Sequence, residues 1–193
     1  MTTRRFISRG FALSVACLSA HAAAACDTDA PLWLTLTVTA GAASTAIDRD
    51  TVVRVHADGC AEVHRPAYLR DAGDWRVALD AGVLEALRTR IDAGGLRSFD
   101  AARVRATLST SGKSRLARPA SSAGEIFTVL DADRYEVRWQ DAKSQGSASW
   151  TGLPEYADAY PDIAALRGFA DVAVALHAIA QRTDAVRIDG GRP

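Results

Sequence analysis

The sequence predicts a single α+β domain in which an antiparallel sheet, built from two hairpins plus extra strands, is covered on one face by two main helices. Two kinds of pattern lead to this prediction. Short segments in which apolar and polar residues alternate are typical of half-buried strands, and longer segments with apolar residues three or four apart are typical of amphipathic helices. Hydrophobic residues make up 48% of the 193-residue chain, which is enough for a conventional folded domain.

The first predicted strand is the segment 32–39, in which leucine and valine alternate with threonine. Trp33 falls on the threonine side of this strand, opposite the aliphatic side chains. Two placements of its indole remain open. An exposed Trp33 would mark a surface for a partner, whereas a buried one would pack under the following loop at 40–50.

The segment 52–66, "VVRVHADGCAEVHRP", predicts the first hairpin. A two-residue turn at Asp58-Gly59 would mix apolar and charged side chains on each face. A three-residue turn at 57–59, with Gly59 in the left-handed conformation, separates the two classes and is therefore the expected register. It places Arg54 opposite Glu62, and the polar face then carries Arg54, His56, Cys60, Glu62 and His64.

A further strand at 75–79 and a helix at 81–93 follow the first hairpin. Asp80 is suited to cap the start of this helix, because its carboxylate can accept from backbone N–H groups in the first turn, and Gly94-Gly95 supplies the stop. A shorter helix is expected to begin after Asp100 and to end at Leu108. The Ser-rich and basic segment 109–124 lacks apolar periodicity and predicts a flexible connector.

The second half predicts another hairpin, in which Phe127 and Val129 pair with the segment 135–139 around a turn at 131–133. Residues 147–151 add a weaker strand, and 162–181 form a long amphipathic helix. The two hairpin motifs have a similar rhythm, so the chain is a possible pseudo-repeat. We expect one globular domain over 26–186 and a disordered tail over 187–193.

Residues 1–25 show the order of a secretory signal peptide: arginines at positions 4, 5 and 9, an apolar run from Phe11 to Leu18, and small residues to Ala25. The run is shorter than the roughly 18 apolar residues that a membrane span needs. The sequence therefore predicts a cleaved signal, a periplasmic or secreted protein, and no transmembrane span in the mature chain. Both the general secretory route and the twin-arginine route remain open.

Two cysteines remain after the predicted cleavage, and in an oxidising compartment a disulfide between Cys26 and Cys60 is expected. If the segment 32–39 pairs with 51–56, Cys26 would lie near the turn that holds Cys60. Lipid anchoring at Cys26 is the weaker alternative, because the preceding Ala23-Ala24-Ala25 lacks the large aliphatic residue of a lipobox.

The charge of the mature chain argues against a nucleic-acid binder. Removal of residues 1–25 takes away three of the 23 basic residues and none of the 23 acidic ones, which leaves a net charge of about −3. No nucleic acid is therefore expected as a partner.

The sequence contains no complete motif for phosphate binding, calcium binding or nucleophilic catalysis. The Ser111–Ser114 segment "SGKS" lacks the upstream glycine of a phosphate-binding loop, and Asp131, Asp133 and Glu136 do not fit a calcium loop. A serine-nucleophile motif is absent. We therefore expect no catalytic residues and no cofactor, and we predict that the protein is not an enzyme.

The sequence thus favours an exported, non-enzymatic module that binds a protein or a cell-envelope component through the outer face of its sheet. A small metal-binding protein that uses His56 and His64 is the alternative, since histidine nitrogens are common zinc ligands. The disulfide is preferred to a metal because it would remove the Cys60 thiolate. The candidate binding residues are Trp33, Arg54, His56, Glu62 and His64.

Overall fold

The computed structural model describes residues 29–41, 47–116, 131–142 and 144–188, and for residues 112–116 it describes the backbone only. In chain order the strands and helices are β1 (Leu32–Thr39), β2 (Asp50–His56), β3 (Cys60–Arg65), β4 (Gly73–Ala78), α1 (Ala81–Ala93), α2 (Ala101–Leu116), β5 (Arg134–Gln140), β6 (Gln145–Thr151), α3 (Leu153–Ala159), α4 (Ala164–Ala180) and β7 (Val186–Arg187). A short 3₁₀ turn at Leu96–Ser98 separates α1 from α2.

Within the described ranges, seven strands form one antiparallel sheet in the order β6-β5-β1-β2-β3-β4-β7. The predicted α+β class with an antiparallel sheet is confirmed. β1 is an interior strand between β5 and β2, and its Leu34 and Leu36 are buried in the core. Among the described residues no helix has the length and apolar character that crossing a membrane requires.

The first hairpin has the predicted register. Val53 pairs with Val63 and Arg54 with Glu62, across a turn in which the Gly59 N–H donates to the His56 carbonyl oxygen at 3.1 Å. Gly59 has φ +96, and a Cβ there would lie 2.7 Å from the Leu79 carbonyl oxygen, so only glycine fits. The valines consequently face inward and are fully buried.

Two predicted helices are confirmed and cover the inner face of the sheet. α1 begins at Ala81, where the Asp80 carboxylate accepts from the Val83 N–H at 2.9 Å. α4 buries the side chains that its 3.6-residue period places on one face. These are Leu166, Phe169, Val172, Ala173, Leu176, Ile179 and Ala180.

One side chain on the inner face is charged. Arg65, at the end of β3, is only 7% exposed. Its Nε donates to the Ala180 carbonyl oxygen at 2.9 Å and one terminal nitrogen to the Arg182 carbonyl oxygen at 3.0 Å, while the other pairs with Asp71. Because the last carbonyl groups of a helix have no partner within the helix, this guanidinium satisfies the end of α4 and fixes it to the sheet.

The prediction that residues 127–129 form a hairpin with residues 135–139 is wrong. β5 is paired along its whole length with β1 on one side and with β6 on the other, so no edge is left for residues 127–129. Those residues lie outside the described part of the chain. The hairpin is β5–β6, and the weaker strand predicted at 147–151 is its second strand. The two motifs that suggested a repeat therefore occupy different structural positions.

Three other boundaries differ from the predictions. α2 continues to Leu116, so the first half of the predicted connector 109–124 is helical, and 117–124 lie outside the described residues. The first residue of the predicted tail, Arg187, pairs in β7 with Trp75. Helix α3 was not predicted, because its seven residues are too few to show a helical period.

We predict that Gly168→Ala destabilises the protein. A Cβ at Gly168 on α4 would lie 1.8 Å from the Gly94 carbonyl oxygen at the end of α1, which forces the two backbones apart. The expected loss in the free energy of unfolding is about 1–3 kcal/mol, measured by urea titration.

Gly82→Ala is the matched control. A Cβ at Gly82, in the first turn of α1, meets only the Asp80 carboxylate, at 3.1 Å. We expect a change within about 1 kcal/mol, because the gain in helix propensity offsets a tight contact with a side chain that can shift. Equal destabilisation by the two substitutions would contradict the role of the Gly94–Gly168 approach.

Candidate functional site

The outer face of the sheet carries the polar residues that alternate with the buried ones. Successive strands place one row of side chains side by side, because antiparallel neighbours in register lie opposite each other. We call this row, together with the adjacent Thr37 and Glu136, the outer-face groove. In strand order the row consists of Ser147, Arg138, Thr35, Arg54, Glu62 and Arg76.

Arg54 differs from the other two arginines of the row. Arg76 contacts the Glu62 carboxylate at 3.5 Å, and Arg138 contacts Glu136 at 2.6 Å. Glu62 lies opposite Arg54 in the register, but its ion-pair contacts are with Arg76 and His56. Within the described residues the exposed Arg54 guanidinium has no ion-pair or hydrogen-bond partner.

A broad, shallow cavity of about 820 Å³ occupies the part of the groove on the β1 side of Arg54. Its polar lining includes Thr35, Thr37, Asp50, Glu136 and Arg138, but not Glu62 or Arg76. The half-buried Thr35 and Thr37 lie on β1, with Thr35 directly opposite Arg54 of β2, and their hydroxyl groups can donate or accept. The site thus combines the Arg54 guanidinium with threonine hydroxyl groups and with two carboxylates, Asp50 and Glu136, the second of which is paired with Arg138. This arrangement suits an acidic group that also presents hydroxyl or amide groups.

His56 lies on the polar side of its strand, as predicted, but it is only 7% exposed. Its Nδ1 lies 2.8 Å from the Ala30 carbonyl oxygen, and the Ala57 N–H donates to the Pro31 carbonyl oxygen at 3.0 Å. The backbone that leads into β1 therefore contacts this end of the hairpin. The imidazole is therefore largely shielded from a partner on the open sheet face, and a binding role for His56 stays a prediction.

Trp33 is also buried, with 7% of its surface exposed, so the placement as an exposed partner contact is wrong. The pairing of β1 with β2 shifts register between Leu32 and Leu34, and such a bulge re-aims the residue between them. The indole lies under the Arg88 guanidinium of α1, 5.3 Å from its carbon. Alternation alone gave the wrong side, because it assumes an unbroken pleat.

His64 is held between two carboxylates. Its Nδ1 lies 2.7 Å from Asp74 Oδ1 and its Nε2 lies 3.0 Å from Asp48 Oδ1, so the imidazolium form donates on both sides. Burial alone would lower the pKa of His64, but the hydrogen bonds to Asp74 and Asp48 outweigh it and the pKa is raised. The hydrogen bond with His64 lowers the pKa of Asp48.

These two hydrogen bonds, which we call the His64 clamp, argue against His64 as a metal ligand. A metal ligand must offer a nitrogen lone pair, whereas both nitrogens of His64 are committed to carboxylates. Within the described ranges no group of three or more His, Cys, Asp or Glu side chains could hold a metal ion. Glu62 and Arg54 therefore remain as accessible candidate residues, with His64 as a charged neighbour.

Cys60 is 2% exposed at the start of β3, while Cys26 lies outside the described residues. The segment before β1 is tied to the same end of the hairpin through the Ala30 carbonyl oxygen and His56. The disulfide stays a prediction.

A second concave site, at the opposite end of β1, was missed by sequence reasoning. We call it the end cleft: a cavity of about 390 Å³ formed where β1, β2, β5 and the β3–β4 loop meet the end of α4. The only sequence signal was His177 on the border of the apolar face of α4. Its polar lining includes Thr51, Tyr68, Asp133, His177 and Gln181.

We predict that His64 makes the stability depend on pH. A histidine whose pKa is raised on folding contributes stability that is fully present below its unfolded pKa of 6.5 and is lost as pH rises through the folded value. The difference in unfolding free energy between the protein and His64→Gln should therefore shrink from a pH about one unit below 6.5 to one about two units above it.

His177→Gln provides a control of opposite sign. Burial lowers the pKa of His177, so its contribution should be lost as pH falls rather than as it rises. Urea titrations of both variants at the two pH values measure the effect. If the difference in unfolding free energy between the protein and His64→Gln were the same at both pH values, a charged His64 clamp would be excluded.

Comparison with known proteins gives no family for this chain. No protein-family model matches it, and no curated protein matches it significantly.

Proposed function

We propose that this chain is an exported binding module whose outer-face groove holds an acidic group of a protein or cell-envelope component. One observation carries the proposal: Arg54 is exposed at the middle of an otherwise ion-paired row and has no partner among the described residues. An uncommitted guanidinium recognises carboxylate or phosphate groups by paired, charge-assisted hydrogen bonds.

The surroundings of Arg54 support a binding role over a catalytic one. Thr35 and Thr37 offer neutral hydrogen bonds, and the nearest carboxylate, Glu62, is held by Arg76. The described lining of the groove contains no histidine or cysteine, and the nearby His64 is held between the carboxylates of Asp74 and Asp48. A rigid sheet that presents polar side chains in register matches a surface that binds without chemistry.

The export part of the proposal rests on residues 1–25, which lie outside the described residues. Their charged, apolar and small-residue order supports a cleaved signal. Delivery to the periplasm or the medium would place the groove among acidic envelope polymers and exported proteins. It would also place Cys26 and Cys60 where a disulfide can form.

We predict that Arg54→Gln weakens binding to an acidic polymer. Polygalacturonate is the probe, because it is an extended chain of carboxylates and hydroxyl groups, and neutral dextran is its uncharged counterpart. Loss of one charge-assisted pair should lower the affinity about tenfold, measured by interferometry on the immobilised polymer. Binding should also weaken as salt is raised.

Arg90→Gln is the matched control, since Arg90 is an exposed arginine on α1, in the helical layer on the other side of the sheet. It should bind like the unchanged protein. An equal loss of affinity in the two variants would show that the polymer is attracted to positive charge in general, and it would contradict a specific role for the groove. Equal binding to dextran and polygalacturonate would do the same.

We also predict that the exported protein begins at or near Cys26 and contains the Cys26–Cys60 disulfide. Intact mass of the protein recovered from an exporting cell should match cleavage after residue 22, 24 or 25. Alkylation should label it only after reduction. Labelling without reduction would exclude the disulfide, a mass increased by acyl chains would show a lipid anchor, and an unprocessed N-terminus would contradict cleavage.

A further inference from the structure

The end cleft collects polar groups from four parts of the chain onto an apolar wall. Tyr68 and Leu69 come from the β3–β4 loop, Asp133 from the start of β5, and His177 from the last turns of α4. Val38, which is 5% exposed, supplies buried apolar surface. A cavity of this size with a few convergent polar groups is typical of a small-molecule site.

The charge of the cleft is decided by Asp133. The Gly41 N–H donates to its Oδ1 at 3.0 Å, but Asp133 has no cationic partner among the described residues. Arg65, the one arginine among the described residues of the lining, is bound to Asp71 and to two carbonyl oxygens at the end of α4. Its charge is therefore already compensated, and the carboxylate of Asp133 is not.

The titrating neighbours respond to this negative charge. Burial raises the pKa of Tyr68, and Asp133, Asp48 and Asp50 raise it further, so the phenol stays neutral. Burial lowers the pKa of His177, which outweighs the opposing effect of Asp133 and keeps the imidazole neutral at pH 7. An uncharged histidine beside an unpaired carboxylate leaves that charge available to a ligand.

We propose that the end cleft binds a small organic cation, an ammonium group on a compact apolar body, with Asp133 as its counter-ion. The neutral imidazole of His177 and the Gln181 side chain offer hydrogen-bond acceptors to the ammonium N–H groups. The ring of Tyr68, which is 50% exposed, and the Leu69 side chain lie at the rim and supply surface for the apolar body. An anion would meet Asp133 without a free cation.

Three compounds of one shape test the charge: benzylammonium, benzyl alcohol and benzoate. Each is titrated into the full, exported protein while the imidazole resonances of His177 are followed by NMR. Benzylammonium should shift these resonances saturably and bind at least about tenfold more tightly than the other two. Binding of benzoate or benzyl alcohol with equal affinity would overturn the proposal, and so would unsaturable shifts.

Asp133→Asn locates the counter-ion. The asparagine oxygen can still accept from the Gly41 N–H, so the fold should be kept while the charge is lost, and the dissociation constant for benzylammonium should rise about tenfold. Asp171→Asn, on the exposed side of α4, is the matched control and should change nothing. Equal effects of the two substitutions would exclude a specific role for Asp133.

Arg54→Gln separates this site from the outer-face groove. It should leave benzylammonium binding unchanged, because Arg54 lies on the opposite face of the sheet from α4. Loss of benzylammonium binding in that variant would contradict an independent end cleft.

Discussion

The contact between α4 and the inner face of the sheet is the interaction on which the rest of the structure depends. Phe169, Val172 and Leu176 are fully buried against a layer of leucine and valine from the central strands. Burial of side chains of this size contributes roughly 1.5–3 kcal/mol each. Because strand residues alternate between faces, fixing the aliphatic side chains under α4 also fixes every polar neighbour on the outer face.

Arg65 is a charged side chain on the otherwise apolar inner face, and its position explains the end cleft. Its strand register places it on the inner face, where a charge would be costly without partners. The end of α4 supplies carbonyl oxygens, Asp71 supplies a carboxylate, and the guanidinium carbon lies 4.6 Å from the centre of the Trp75 ring. The same contacts anchor the last turns of α4, so His177 is held over the ends of β1 and β2.

The elements that local pattern determines could be predicted from the sequence. The β2–β3 register followed from the need to separate valines from charged side chains, and the start of α1 followed from the cap at Asp80. Non-local pairing could not be predicted, because nothing in residues 127–139 shows that β1 and β6 occupy both edges of β5. Arg54 and Glu62 were found by alternation. Trp33 was assigned to the wrong side because alternation does not show a bulge, and the sequence did not show that the segment before β1 buries His56. Asp133 and His177 come together only after folding.

The two candidate sites are proposed to prefer opposite charges, although the chain as a whole has a formal net charge of zero. Each site arises where one charged side chain lacks the partner that its neighbours have. In the outer-face row, Arg76 holds Glu62 and leaves Arg54 uncompensated; in the end cleft, Asp71 holds Arg65 and leaves Asp133 uncompensated. Exposed ion pairs contribute little to stability, so folding alone does not require such pairing to be complete. An unpaired charge next to satisfied ones costs the fold little and retains its capacity to bind, which makes these two residues the informative ones to substitute.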